Sequence, residues 1–250
     1  MHSFLLIGQS NMAGRGYLNE AHEIDTSHIY TLRNGRWQKM FRPINPDRST
    51  SGVSLAESFA EAYAQKHNVD VGLICCADGG TTLEQWMPGG LLYDHAVYQA
   101  NLAGRTAEIK GVLWHQGESD CSDNRYHTYK SNLSKMLGCL RKDLNIENVP
   151  ILLGGLGDYL ADCPRPTWEL CNYTLINEAL QHVADTCKMT GFVSAKGLQS
   201  NSDLLHFNAE SLYEFGLRYF AEFEKLRIED NTTCEKTVAE DLRRTKMELL

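Results

Sequence analysis

The stretch Phe4-Leu5-Leu6-Ile7-Gly8-Gln9-Ser10-Asn11-Met12-Ala13-Gly14 decides the fold. Its apolar run is short, unbroken and closed by a glycine, and polar residues follow at once. Such a run reads as a strand buried on both faces, which is the signature of a parallel sheet. Four more runs repeat the pattern: Val71-Gly72-Leu73-Ile74-Cys75, Gly111-Val112-Leu113-Trp114, Ile151-Leu152-Leu153 and Phe192-Val193-Ser194. Between them the apolar spacing changes to a helical one. Leu55, Phe59, Ala62 and Tyr63 share a helix face, opened by a capping box from Ser54 and Glu57. Further helices are expected over residues 93–103, 126–140, 173–186 and 209–223, the last with Asn208 as its N-cap.

Strand and helix therefore alternate, and this predicts an α/β fold: a three-layer, doubly wound sheet of about five parallel strands. One segment departs from the alternation. In residues 29–38 an Asn34-Gly35 pair separates two strand-like runs, which favours a tight type I′ hairpin, read as a small insertion after the first strand. No repeat and no Gly/Ser/Pro linker divides the chain, so residues 1–228 are expected to form one domain. The charged end, residues 229–250, carries only a thin apolar stripe at Val238, Leu242 and Leu249 and reads as a tail or helix.

With 250 residues the chain is long enough to bury roughly 70–75% of its unfolded surface. Hydrophobic residues make up 42% and charged residues 22%, ordinary values for a soluble globule, and no apolar run approaches the ~18 residues of a membrane span. The net charge of −8 offers no basic stripe for a phosphate backbone, so nucleic acid is not an expected partner. Eight cysteines occur without a C-x-x-C pair and read as reduced thiols. The first residues run into the first strand with no cationic or long apolar leader, so a cytoplasmic location is expected.

In open α/β sheets ligands gather at the carboxyl ends of the strands. The loop after the first strand holds Ser10 between glycines, where both its Oγ and its backbone N–H can meet a substrate. This is not a G-x-S-x-G elbow, because Met12 stands two residues on. The loop after the second strand, Asp78-Gly79-Gly80-Thr81-Thr82, can turn a backbone N–H toward an oxyanion. After the third strand, Trp114-His115-Gln116-Gly117-Glu118-Ser119-Asp120 offers a neutral amide donor and two acids. Beyond the fifth strand, Asp203 and His206 stand three apart, a spacing at which a carboxylate can fix an imidazole tautomer. His115 is the rival base, and Glu118 a rival acid.

These four blocks, Gly8-Gln9-Ser10-Asn11-Met12-Ala13-Gly14, Gly79-Gly80-Thr81, Trp114 to Asp120 and Asp203-x-x-His206, resemble the successive blocks of SGNH hydrolases. More narrowly they are similar to the branch holding sialate O-acetylesterase-like proteins and acetylxylan esterases of carbohydrate esterase family six. The resemblance runs from residue 4 to about residue 225. It implies a flavodoxin-like α/β/α fold with Ser10 as nucleophile, His206 as base and Asp203 as its orienter. It also implies an oxyanion hole from the N–H groups of Ser10 and Gly79, with Gly80 as the alternative, and from Gln116. The wider superfamily has Asn at this last position, and Gln is typical of the branch. Gln9, Trp86 and Glu118 are expected to bind or orient substrate.

The activity so implied is hydrolysis of acetyl or other short acyl esters on a carbohydrate, through an acyl-enzyme. The expected partner is a small acetylated saccharide, with no metal or organic cofactor. Two other readings stay open: a non-catalytic carbohydrate-binding protein on the same fold, and a lipid or thioester hydrolase. The sequence leaves the oligomeric state unassigned.

Overall fold

A computed structural model describes residues 1–165 and 168–227. In chain order the elements are β1 (His2–Gly8), α1 (Ser10–Ala13), β2 (Ile29–Arg33), β3 (Arg36–Lys39), α2 (Leu55–His67), β4 (Val71–Cys75) and α3 (Leu91–Ala103). Then follow β5 (Glu108–His115), α4 (Tyr126–Leu144), β6 (Ile151–Gly154), α5 (Tyr173–Thr186), β7 (Thr190–Val193) and a helix α6 through residues 209–227. Short 3-10 turns join several of them.

The strands form one sheet in the order β3-β2-β4-β1-β5-β6-β7, parallel except for β3, which runs antiparallel to β2. Alternation along β1 sorts its side chains between two cores. Leu5 and Ile7 pack under α3, α4 and α5 with Val112, Trp114, Tyr93, Leu133 and Ile176. Phe4 and Leu6 pack under α2 and α6 with Leu73, Leu113, Phe59, Tyr63, Phe215 and Tyr219. Each such fully buried side chain stabilises the fold by roughly 1.5–3 kcal/mol. The arrangement is the three-layer α/β/α fold expected, with helices on both faces of a doubly wound sheet.

The strand count needs correction: there are seven, not about five. Asn34 and Gly35 do form the turn, both at positive φ (51° and 71°). However, the hairpin is not an insertion apart from the sheet. Strand β2 pairs in parallel with β4, Ile29 against Val71 and Thr31 against Leu73, and both Ile29 and Thr31 are buried. Gly72 makes this possible, because a Cβ there would lie 2.6 Å from the Trp37 indole on β3.

Helix boundaries follow local chemistry. Both halves of the Ser54–Glu57 capping box are present at the start of α2. Asn208 Oδ1 accepts from the Ser211 N–H at the start of α6. Helix α4 runs four residues past its expected end at 140 and stops at Asn145, which takes the left-handed conformation. The seven cysteines among the described residues carry free thiols, and none of the described helices is long and apolar enough to cross a membrane. The expected tail, residues 229–250, lies outside the described residues.

Candidate active site

The carboxyl end of β1 delivers Ser10. Gly8, at φ 128°, lies so close to β5 that a Cβ would meet the His115 carbonyl oxygen at 2.1 Å, so only glycine fits here. The next residue, Gln9, donates its N–H to that same carbonyl at 2.9 Å, which fixes the turn against β5. Ser10 then opens α1, whose Met12 and Ala13 N–H groups donate to the Gln9 carbonyl at 2.9 and 3.0 Å.

From the other end of the chain a tight loop brings Asp203 and His206. Asp203 Oδ1 accepts from the backbone N–H groups of Leu205 and His206, both at 3.0 Å, and Leu204 takes φ 52° to close the turn. Oδ2 lies 2.6 Å from His206 Nδ1, and His206 Nε2 lies 3.0 Å from Ser10 Oγ. Burial pushes the Asp203 carboxyl up, but the hydrogen bonds from the His206 ring and the two backbone N–H groups more than offset it and hold it down at about 2. An ionised Asp203 keeps the imidazole proton on Nδ1 and leaves Nε2 to accept from the serine hydroxyl. His115, the rival base, is fully buried behind the site, its Nε2 against the Gly155 carbonyl at 3.1 Å. Burial lowers its pKa, so it is neutral.

Ser10, His206, Gln9, Gly79, Gly80 and Glu118 all line one cavity of about 500 Å³. Two expected residues do not reach it. Gln116 is fully buried, and its side-chain NH₂ is committed to the Thr81 carbonyl (2.9 Å) and to Asp120 Oδ2 (2.5 Å). Burial raises the Asp120 pKa, and the Gln116 amide is the first of the groups that oppose this. Trp86 is also buried, with its Nε1 donating to Thr81 Oγ1 at 3.0 Å and its ring edge-on to Trp114, so it is a core residue and not a cavity wall. Gly79 sits beside Ser10, where a Cβ would come within 3.5 Å of Ser10 Cβ, but its N–H donates to Asp47 Oδ2 at 2.8 Å.

Three features escaped the sequence reading. The first is the buried ion pair of Arg15 and Asp47, bidentate at 3.0 and 2.7 Å, which braces the Gly79 turn. Burial raises the Asp47 carboxyl, yet the bonds from Arg15 and Ser51 leave it below the usual range. The second is Asn11: its Nδ2 donates to Glu118 Oε1 (2.6 Å) and the Leu205 carbonyl (3.3 Å), and its Oδ1 accepts from the Phe207 N–H (3.1 Å). It thus ties the serine turn to both sides of His206. Its place beside Ser10 in the first block was the available clue. The third is Trp168, a half-exposed wall of the cavity that no motif singles out. Among the described residues no group of three or more His, Cys, Asp or Glu side chains could hold a metal ion.

Sheet, helices and the serine turn at the end of β1 together define a class, the SGNH-type hydrolases. Within it, the family model described as "Carbohydrate esterase, sialic acid-specific acetylesterase" matches residues 1–225, and the chain belongs to that family of carboxylic ester hydrolases. An Arabidopsis thaliana protein described as a "probable carbohydrate esterase" is 31% identical over 240 residues, 86% of each chain. The crystal structure of an Arabidopsis thaliana protein superposes with a TM-score of 0.77 at 29% identity, covering 90% of this chain and 98% of that one. A Xanthomonas citri carbohydrate acetylesterase shares the fold, with a TM-score of 0.64 at 18% identity over 87% of this chain and 55% of that one.

Proposed function

We propose that the chain is a serine esterase that removes acetyl groups from a small saccharide through an acyl-enzyme. The observation that carries this reading is the unbroken relay from Asp203 through His206 to Ser10 at the wall of the cavity. In the first half-reaction His206 Nε2 takes the Ser10 proton as Oγ attacks the ester carbonyl, then gives that proton to the departing sugar oxygen. In the second, water loses a proton to His206, attacks the acetyl-serine, and acetate leaves as Ser10 recovers its hydrogen. Asp203 stabilises the imidazolium that forms in each half.

For the oxyanion the reading favours the N–H of Ser10 and the exposed Gly80 side of the second loop, because the Gly79 N–H and the Gln116 amide already have acceptors. The family description and the Xanthomonas citri neighbour support a carbohydrate ester as substrate.

The test is Ser10→Ala, assayed by acetate release from acetylated saccharides and by p-nitrophenyl acetate hydrolysis. Loss of the covalent route is expected to lower kcat by about 10⁴-fold or more. An organophosphate that labels the wild-type protein at Ser10 should leave the variant unmodified. Near-normal turnover in a folded variant would overturn the reading.

A further inference from the structure

The acyl-transfer steps make no use of Trp168, which stands between β6 and α5 with 45% of its surface exposed and forms part of the cavity wall. The other large exposed apolar side chains among the described residues, such as Tyr17, Phe41, Leu91 and Tyr98, lie away from that cavity. An indole left in water forgoes the stabilisation that packing would give it. Its neighbour holds it there: the Arg165 guanidinium lies over the ring, 4.9 Å from the centroid, a cation–π contact.

Beside the indole and Leu205, the cavity lining carries polar groups that are braced. Thr50, Thr82, Ser119 and Ser122 contribute hydroxyl-bearing side chains. Arg125 is tied to the Ser119 carbonyl (2.8 Å), Ser122 Oγ (2.9 Å) and Asp123 (2.6 Å). Arg48 is held by Asp78 (2.7 Å) and the Gly79 carbonyl (3.0 Å). These guanidinium groups are neutralised in place, so they act as oriented donors and not as a trap for free anions.

One flat apolar face beside a ring of fixed hydrogen-bonding groups matches the chemistry of a pyranose, which has C–H groups on its faces and hydroxyls around its edge. A long acyl chain would instead require an apolar trough, and these hydroxyl and guanidinium groups would lose water without compensation. We propose that Trp168 is the stacking platform for the sugar ring of the ester, holding it while its acetyl group is presented to Ser10. The proposal rests on the carbohydrate-ester reading above and adds the residue that selects the sugar. Trp168 is a specificity residue and takes no part in proton transfer.

The experiment compares the full-length wild type with Trp168→Ala and Trp168→Phe. Substrates are O-acetylated N-acetylneuraminic acid and an O-acetylated methyl xyloside, set against ethyl acetate, which has no ring to stack. Acetate release is the readout, and circular dichroism checks the fold. For the preferred sugar ester, Trp168→Ala is expected to raise KM roughly tenfold or more, the scale of losing an aromatic anchor, with kcat within about threefold. For ethyl acetate kcat/KM should change by less than about threefold, and Trp168→Phe should recover most of the loss on the sugar.

Equal losses on sugar ester and ethyl acetate would reduce Trp168 to a structural role and overturn the proposal. So would a sugar-ester KM insensitive to Trp168→Ala, which would leave the carbohydrate reading standing. If the wild type hydrolyses ethyl acetate but neither saccharide, the carbohydrate reading fails and the platform with it.

Discussion

Asp203 gathers three hydrogen bonds on one carboxylate, and the consequence is a group that stays ionised far into acid. Its carboxyl is held at about 2, below its ordinary value of 3.8. A depressed carboxylate contributes stability that is complete above about pH 4 and is lost as pH falls through about 2. Across moderately acid pH Asp203 therefore stays a carboxylate and adds no protonation step of its own. Between about pH 5 and about pH 3, in brief pH-jump assays that outrun unfolding, the logarithm of kcat/KM for p-nitrophenyl acetate is expected to change with a slope no steeper than one. A slope nearing two would mean that Asp203 protonates in the same range. Gln116 yields a prediction of a different kind. Removing its amide strips a partner from the buried Asp120 carboxyl, so Gln116→Ala should cost about 1–3 kcal/mol in denaturant unfolding. A stable variant with a selective loss of kcat would instead return Gln116 to the oxyanion. The sequence marked an amide at the end of β5 but not which way it turns. Ser10, Asp203 and His206 could be singled out because a hydroxyl, a carboxylate and an imidazole are chemically distinctive after strand ends, and the structure brings the three together. Arg15, Asp47 and Trp168 were not, since their roles depend on which loops fold over the serine.

Strand β2 marks where local pattern runs out. Strands β1, β4, β5, β6 and β7 are legible because burial on both faces leaves an apolar run, whereas β2 shows only Ile29 and Thr31 buried in a mixed segment. What joins it to the sheet is Gly72, about forty residues away, which leaves room for the Trp37 indole. Gly72→Val is expected to force that ring out of place, at an overpacking cost of about 1–3 kcal/mol and a thermal midpoint several degrees lower. Combining it with Trp37→Ala should destabilise by less than the sum of the two, because the clash is then gone. Strict additivity would mean that the two residues do not meet. The helices were more legible than the hairpin's pairing, as at α2 and α6, because caps act within a few residues.

Across the whole molecule the site is built from the two ends of the chain, with Ser10 and His206 separated by 196 positions. Asn11 is the weld between them, and its place beside Ser10 was the one clue to it in the sequence. Asn11→Ala orphans the Phe207 N–H and the Glu118 carboxylate at once, for a stability loss of about 2–3 kcal/mol. The loosened imidazole should lower kcat on a simple ester by about 10–100-fold with little change in KM, since about 1 Å of misplacement is costly. Asn11→Asp keeps the acceptor for Phe207 but sets a carboxylate against Glu118, so it should be at least as damaging in spite of its shape. Full activity in either variant would show that the two loops hold their geometry without the weld.

The central place of β1 has a consequence for biosynthesis. Strand β1 leaves the ribosome before the partners it needs on both edges, which lie at residues 71–75 and 108–115. Until residue 115 has been made, Phe4, Leu5, Leu6 and Ile7 lack one or both of the strands that pair with them. Such a segment is prone to capture by other nascent chains. Translation at about 5–20 residues per second keeps it in that state for several seconds. Ser10 is thus synthesised 196 positions ahead of His206, the side chain it meets in the folded protein.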